Sequence, residues 1–146
     1  MHWPICGRRR KKCKDSVRFY ERVLGGKIRF MMTYGESPVA DQMPPEFADG
    51  IMNAQLDLPG GGLLYAGDRP SNTPYEGIRG VCLTLNFDSI DEAEKVFAAL
   101  SEGGKVTMPM EPTFWAKRFG MLDDKFGTPW IINGELCPLG PGNQTE

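Results

Sequence analysis

The sequence predicts an α+β fold made of two copies of one unit that share a cleft. Three features carry this prediction: an amphipathic helix, a Gly-Gly-Lys segment and an alternating strand follow one another near residue 15 and again near residue 90. Further strands complete each copy, so the order strand-helix-strand-strand-strand is expected twice. A cleft between duplicated halves is a common place for a ligand.

The first half contains a helix over residues 15–24, whose apolar side chains recur on one stripe. Asp15 is the predicted N-cap, and Gly25 with Gly26 ends the helix. Residues 27–34 then alternate between apolar and polar side chains, which predicts a strand. One face of this strand is expected to carry Ile28, Phe30, Met32 and Tyr34.

A long loop and a hairpin complete the first half. Residues 35–50 contain three prolines and no regular pattern, and a loop of this length often covers a binding site. Residues 51–58 alternate, a glycine-rich turn spans 59–62, and residues 63–66 return as the second strand of the hairpin. Residues 67–79 are predicted to link the halves.

The second half opens with a clear strand. Cys82 lies within it and is predicted to be a small buried hydrophobe. Ser89 and Glu92 match a capping box, so Ser89 is the predicted N-cap of the second helix, and Gly103 follows its end. The apolar face of the opening strand is Val81, Leu83, Leu85 and Phe87, and later strands are predicted near 105–110, 117–123 and 129–133.

The opening strand of the first half would have to lie within residues 1–13, where no apolar alternation is present. Either a short strand near residues 3–6 takes its place or the strand is damaged or missing. Residues 1–14 are therefore predicted as a basic irregular N-terminus and 138–146 as a flexible tail. The domain between them is expected over 15–137, with module one at about 15–66 and module two at about 80–134.

Composition narrows the functional classes. The chain has 146 residues, enough for one domain, and no apolar run long enough to span a membrane. The four cysteines form no CxxC pair and no export signal is evident, so a reducing cytoplasm is expected. His2 is the single histidine, which excludes a two-histidine metal site within one chain.

Basic residues are concentrated at the N-terminus. Six of the seven residues from Arg8 to Lys14 are basic, although the whole chain carries a net charge of −2, so the rest of the chain is acidic. The run is either a nucleic-acid arm or a solvated terminus. We expect no nucleic-acid partner, because an acidic body offers no second surface for phosphates.

The chain resembles the glyoxalase/bleomycin-resistance/dioxygenase (vicinal oxygen chelate) superfamily. The resemblance rests on residues 18–27 (RFYERVLGGK), 32–38 (MTYGESP) and 113–130 (TFWAKRFGMLDDKFGTPW), and it is closest to the PhnB-like branch. Some members of that branch are labelled 3-demethylubiquinone 3-methyltransferase domains. The resemblance implies a curved mixed sheet around a cleft and a homodimer.

The same resemblance implies where a metal would be bound. Metal-dependent members place ligands, usually His and Glu, on the first and last strand of each half. The Glu follows a turn glycine by four residues, and counting from Gly127 gives Ile131. The opening strand of the second half offers Val81, Leu83 and Leu85 in place of a His, and residues 63–66 hold no carboxylate. No metal or other cofactor is therefore expected, and His2 is the one remaining candidate ligand.

Eight residues are candidates for binding a ligand. Four aromatic side chains either fill the core or sandwich a planar or apolar ligand. Arg118 either clamps a carboxylate or phosphate or pairs with an acid. The first half offers polar groups at the rim of the cleft, among which Glu36 is either a general base or a solvated acid. The aromatic residues are Phe114, Trp115, Phe119 and Trp130, and the polar ones are Tyr34, Glu36 and Asp68.

Two functions agree with these features. The first is a metal-free small-molecule binding protein, similar to bleomycin-resistance members that sequester a drug unaltered. The second is a lyase- or isomerase-type enzyme with a metal or an acid/base site in the cleft, so the sequence leaves open whether there is turnover. A methyltransferase is not predicted, because no glycine-rich cofactor loop follows a strand.

Overall fold

The computed structural model describes residues 12–68 and 78–138. It confirms the α+β class: the described residues form two helices, a three-stranded sheet and a four-stranded sheet. The chain divides between Arg79 and Gly80 into two compact units. The predicted first strand and most of the basic run lie outside the described residues, as does the tail from residue 139. Neither described helix is long and apolar enough to cross a membrane.

The first unit places one helix on an antiparallel sheet. Helix α1 (Cys13–Leu24) packs on strands β1 (Lys27–Thr33) and β2 (Ile51–Asp57), and β2 also pairs with β3 (Leu63–Ala66). The hairpin of β2 and β3 confirms the predicted one. The loop between β1 and β2 contains two short 3₁₀ helices, Ala40–Gln42 and Pro45–Phe47. The buried residues shared by helix and sheet include Val17, Tyr20, Leu24, Ala54, Leu56 and Leu64.

Helix α1 begins two residues before the predicted start, and the prediction that Asp15 is its N-cap is wrong. Lys12 holds the cap position and forms no side-chain cap. Instead, the backbone amide of Cys13 donates to Oδ1 of Asp68, 3.1 Å away and 55 positions later in the chain. Asp15 lies in the first turn, where a carboxylate still interacts favourably with the helix dipole.

Strand β1 departs from regular alternation. Its pairing with β2 matches Ile28 with Leu56 but then Phe30 with Gln55, so one extra residue, Arg29, is accommodated in β1. Such a bulge reverses the faces of the residues that follow it. Phe30 therefore does not share a face with Ile28, contrary to prediction, and it is exposed.

The second unit has the predicted strand-helix-strand-strand-strand order. Its elements are β4 (Leu83–Phe87), α2 (Ile90–Ser101), β5 (Lys105–Glu111), β6 (Ala116–Asp123) and β7 (Pro129–Leu136). The strands lie in the order β4-β7-β6-β5, with β4 and β7 parallel and the other pairs antiparallel. Helix α2 packs chiefly on β6 and β7.

Of two predictions at the start of this unit, the one for Ser89 is confirmed and the one for Cys82 is wrong. Ser89 is the N-cap of α2 as predicted, and its Oγ accepts a hydrogen bond from the amide of Glu92 at 3.4 Å. Cys82 was predicted to be buried within the strand, but it precedes β4 and is exposed. The pairing of β4 with β7 begins at Leu83, one residue after Cys82. Among the described residues, Cys82 therefore has no neighbouring strand to cover it.

The repeated Gly-Gly-Lys segments have the same geometry in both units. Gly25 and Gly103 follow the helices in the left-handed conformation, with φ of 67° and 70°. The second glycine of each pair lies against backbone: a Cβ on Gly26 would be 2.4 Å from the carbonyl oxygen of Asp57, and one on Gly104 would be 2.2 Å from that of Asp123. Side chains are therefore excluded at equivalent positions of the two units.

The sheet of the second unit has one face toward α2 and one away from it. A Cβ on Gly134 would lie 2.9 Å from that of Ala93 in α2, so alternate residues of β7 point toward the helix. Asn133 points the other way. Cross-strand partners share a face, so the α2-distal face includes Thr84, Asn86, Phe119, Ile131 and Asn133.

Candidate functional site

Three of the four predicted aromatic residues come together at the α2-distal face. The ring of Trp115 contacts Phe114 and Phe119 edge-to-face, with centroids 4.7 and 5.1 Å apart. Phe119 is buried, Trp115 is partly exposed and Phe114 is 82% exposed. The exposure of the three rings thus increases from Phe119 to Phe114, and the ring of Phe114 is available for contact.

Trp130, the fourth aromatic residue, belongs to the core. It pairs with Leu83 on the face toward α2 and is 1% exposed. Its indole nitrogen donates to Oδ2 of Asp124 at 2.9 Å, and Oδ1 of the same carboxylate accepts from the amides of Phe126 and Thr128. Between the two alternatives for this residue, the structure favours packing over ligand contact.

Arg118 also lies apart from the aromatic cluster. Its position pairs with Gly134 on the face toward α2, and its Nε is 3.1 Å from a carboxylate oxygen of Glu94 in that helix. Both side chains are partly exposed, so the pair contributes little to stability. This contact corresponds to the acid-paired alternative for Arg118.

Tyr34 and Asp68 lie together in the first unit. The Tyr34 hydroxyl donates to the backbone carbonyl of Asp68 at 2.9 Å, and burial, followed by the charge of Asp68, raises the pKa of Tyr34. The carboxylate of Asp68 accepts from the amides of Cys13 and Ile51 at 3.1 and 2.8 Å. Because each carboxylate oxygen accepts a hydrogen bond from a backbone amide, Asp68 joins the start of α1 to the start of β2.

Glu36 is exposed and folds back on its own loop. Its carboxylate accepts from the amide and the hydroxyl of Thr33, at 3.0 and 2.9 Å. These bonds, first to the backbone and then to the side chain of Thr33, lower the pKa of Glu36. A lowered pKa makes a carboxylate a weaker base, so the structure gives Glu36 no feature of a general base.

Replacing Thr33 with valine is expected to raise the pKa of Glu36 part of the way toward its ordinary value. The variant removes the hydroxyl bond but leaves the amide bond, which is the larger cause. Because the folded pKa is lowered, the stabilisation from these bonds exists above the unfolded pKa and is lost as pH falls through the folded pKa. An NMR titration of the glutamate carboxyl carbons measures this. Thr33→Ser keeps the hydroxyl and should keep the wild-type value, whereas an unchanged pKa in Thr33→Val would contradict the assignment.

A pocket of about 440 Å³ lies in the second unit at the carboxyl ends of β4 and β7. Its volume falls within the range of small-molecule sites. The wall contains both polar or charged and apolar side chains. The lining residues are Asn86, Phe87, Asp88, Lys117, Glu135, Leu136, Cys137 and Pro138.

Lys117 and Glu135 form an ion pair in the wall of this pocket. The hydrogen bond to Glu135 raises the pKa of Lys117. Glu135 has a φ of 48°, the only positive value among the non-glycine residues that the structure describes. This conformation costs a non-glycine residue about 1 kcal/mol, and such outliers are concentrated at functional sites.

Two hydrogen-bonded connections join the pocket to the aromatic cluster. The amide of Cys137 donates to the carbonyl of Trp115 at 2.7 Å. On the α2-distal face, the indole nitrogen of Trp115 donates to Asn133 at 3.3 Å, and Asn133 in turn donates to Asn86 at 2.9 Å. Trp115 is therefore a predicted site residue that is hydrogen-bonded to the pocket wall.

The side chains of the described residues do not provide the ligands that a metal would require. Among residues 12–68 and 78–138, no three His, Cys, Asp or Glu side chains are grouped so as to hold a metal ion. Ile131 is on the α2-distal face, where its pairing partner is Thr84. Thr84 and Asn86, rather than Leu83 and Leu85, therefore share the face of Ile131. These residues do not fit the His and Glu set of the metal-dependent members.

The pocket was missed by sequence reasoning, which named none of its lining residues as site residues. One signal was available: alternation in β4 already placed Asn86 on the face opposite Leu83 and Leu85. An amide side chain at this position does not contribute to an apolar core, so it indicated a polar contact on that face. Asn86 and Asn133 are 47 positions apart in sequence, and they pair only because β4 and β7 are adjacent in the sheet.

Comparison with known proteins gives consistent results. A sequence model described as "Glyoxalase/Bleomycin resistance protein/Dioxygenase superfamily" matches residues 5–132. Protein YjdN of Escherichia coli is 32% identical over 129 residues, covering 83% of this chain and 86% of YjdN. Both matches span the two units.

Solved structures are similar over the same extent. Protein PA1353 from Pseudomonas aeruginosa is 44% identical, with a TM-score of 0.77 over 86% of this chain and 91% of its own. A Bacillus cereus structure described as a putative 3-demethylubiquinone-9 3-methyltransferase, PhnB protein, has a TM-score of 0.70 over 86% of this chain and 92% of its own. At 22% identity, the latter supports the fold alone.

Proposed function

The chain belongs to the glyoxalase/bleomycin resistance protein/dioxygenase superfamily, and from this membership we propose that it is a metal-free small-molecule binding protein. Proteins of this fold often bind small molecules and form oligomers. The proposed binding site is the pocket at the ends of β4 and β7, with the aromatic cluster of Phe114, Trp115 and Phe119 beside it.

The observation that carries this proposal is the construction of the pocket. It combines a suitable volume with a charged pair, an amide and apolar side chains such as Phe87 and Leu136. Binding sites typically pair an apolar wall with a few placed polar groups. The strained backbone of Glu135 further distinguishes this wall from an ordinary surface depression.

The absence of a fitting donor set supports binding over metal-assisted chemistry. A metal would act as a Lewis acid in a lyase or isomerase reaction, and the described residues supply no cluster for it. The hydrogen bonds that lower the pKa of Glu36 disfavour the acid/base alternative at that residue. The enzyme alternative would require ligands from residues such as His2 or from a second subunit.

We also propose that the protein is a homodimer. Strand β5 is at the edge of its sheet, and its Val106 and Met108 are exposed apolar side chains. An edge strand with exposed apolar residues is a surface that association would cover. Proteins of this fold often form oligomers, which agrees with this proposal.

Native mass spectrometry of freshly purified protein, compared with the denatured mass, tests the proposed function. We expect a dimer without bound metal, and any additional mass would be that of a co-purified small molecule. One stoichiometric metal ion per subunit would overturn the metal-free proposal and favour the enzyme.

A matched pair of variants locates any co-purified molecule. Leu136→Trp should fill the pocket from its rim and remove the additional mass. Leu63→Trp, at another exposed leucine in the first unit, should retain it. Loss of the additional mass in Leu63→Trp but not in Leu136→Trp would contradict the assigned site.

A further inference from the structure

The chain of hydrogen bonds from Trp115 through Asn133 to Asn86 ends in the pocket wall. Trp115 Nε1 is 3.3 Å from Asn133 Oδ1, and Asn133 Nδ2 is 2.9 Å from Asn86 Oδ1. Asn133 is 7% exposed, whereas Asn86 is exposed and lines the pocket. These hydrogen bonds therefore connect the buried amide of Asn133 to the amide of Asn86, which a ligand can contact.

The direction of these hydrogen bonds is fixed by the first donor. An indole N–H can only donate, so the atom of Asn133 that faces it must be the oxygen. Asn133 then has only its NH₂ group to offer, and Asn86 must accept through its oxygen. The NH₂ group of Asn86 is left over, and no group in residues 12–68 or 78–138 accepts a hydrogen bond from it. The group that Asn86 can offer to a ligand without breaking this bond is thus a donor.

The charges in the pocket wall narrow the ligand further. Lys117 is paired with Glu135, and Asp88 adds a second carboxylate, so the wall has a net formal charge of −1. A carboxylate ligand would satisfy the donor of Asn86 but would face this negative charge. An uncharged carbonyl group accepts the same hydrogen bond without that repulsion.

We propose that Asn86 determines specificity by donating through Nδ2 to the oxygen of an uncharged ketone or amide carbonyl on the ligand. This inference rests on the proposed function, because it concerns the same pocket. Asn133 acts as a positioning residue, since it sets which end of the Asn86 amide faces the ligand. Trp115 acts in the same way through Asn133.

The inference makes reversal of the Asn86 amide a testable event. In Asn133→Asp, a carboxylate replaces the amide with nearly the same shape, and it accepts from both Trp115 and Asn86. Asn86 must then turn its NH₂ group toward the new carboxylate and present its oxygen to the pocket. The variant should prefer ligand donors where the wild type prefers acceptors.

The experiment measures dissociation constants for three probes by NMR titration of the ¹⁵N-labelled full-length chain. It follows the backbone amides of the pocket residues in every variant and, where Asn86 is retained, its side-chain amide as well. The probes are N,N-dimethylbenzamide, which has a carbonyl acceptor and no N–H donor, benzoate, and benzylammonium. We expect wild-type protein to bind N,N-dimethylbenzamide at least about fivefold more tightly than benzoate. In Asn133→Asp its affinity should fall at least about fivefold, and that of benzylammonium should rise.

Two further variants separate the directional effect from charge and misfolding. Asn86→Asp removes the donor at an exposed position and should weaken N,N-dimethylbenzamide binding to a similar extent. Thr84→Asp adds the same charge on the same face without altering the hydrogen-bond chain, and should leave that affinity within about twofold. Circular dichroism verifies that each variant is folded.

The outcomes distinguish failure of the Asn86 inference from failure of the proposed binding site. Equal affinity for N,N-dimethylbenzamide and benzoate, or an unchanged affinity in Asn86→Asp, would overturn the role of Asn86 while leaving the pocket as a binding site. If Asn133→Asp and Thr84→Asp behave alike, the positioning role of Asn133 is wrong. If no probe shifts any signal from the pocket residues, both this inference and the proposed binding site fail.

Discussion

Truncating Trp130 to alanine is expected to lower the free energy of unfolding by about 3–5 kcal/mol. The side chain is almost fully buried on the face of the sheet that packs against α2. Its removal leaves a cavity in the core and breaks the hydrogen bond from the indole to Asp124. Urea unfolding followed by circular dichroism measures the change without depending on tryptophan fluorescence.

Phe114→Ala is the matched control within the same predicted aromatic group. Because its ring is exposed, truncation should change the free energy of unfolding by no more than about 0.5 kcal/mol. The contrast distinguishes a core residue from a candidate contact residue. A loss below about 1 kcal/mol in Trp130→Ala would show that this side chain is not part of the core.

Gly26→Ala and Gly104→Ala are each expected to destabilise the protein by about 1–3 kcal/mol or more. The new Cβ would lie 2.4 Å from the carbonyl oxygen of Asp57 in the first case and 2.2 Å from that of Asp123 in the second. Both obstacles are backbone atoms, so relief requires the strand itself to move, which costs more than repacking a side chain. Thermal and urea unfolding of the two variants measure the effect.

Gly62→Ala is the control for these variants. Its φ is not positive, and its new Cβ would make ordinary contacts of 3.4 Å and longer with Leu58. The substitution should be neutral or stabilising by up to about 1 kcal/mol, because alanine restricts the unfolded chain. If Gly26→Ala or Gly104→Ala behaves like this control, the close backbone approach is wrong at that position.

Local signals predicted the elements of this fold well. Ser89 and its partner three residues later mark the start of α2, and Gly25 marks the end of α1, because both devices act within one turn of helix. The start of α1 was not predictable in this way. Its first amide is held by Asp68, and no local pattern indicates a partner 55 positions away.

Faces of strands were predictable only where pairing is regular. In β4, alternation separated Leu83 and Leu85 from Asn86, as the structure also does. In β1, the extra residue Arg29 interrupts the alternation and moves Phe30 to the other face. A bulge arises from how two strands pair, so the sequence of one strand does not reveal it.

The candidate site was harder to predict than the fold. Aromatic character made Trp115 and Trp130 equal candidates. Strand pairing places Trp130 on the face toward α2, whereas Trp115 bonds to Asn133 on the α2-distal face. The pocket wall combines residues from β4, β6 and β7. Its amide, Asn86, bonds to Asn133 only because β4 and β7 are neighbours. The sequence shows the chemistry of each side chain, but it does not show which strands are neighbours in the sheet.

The double contact of Asp68 has a consequence for how the first unit forms. Its carboxylate holds the first amide of α1 and the first amide of β2, and its own amide donates to Ile51. The start of the helix is therefore not secured until the chain beyond β3 has been synthesised and has returned to the sheet. The contact that completes the start of α1 thus has a sequence separation of 55 residues, and forming it carries the loop-closure entropy of that segment.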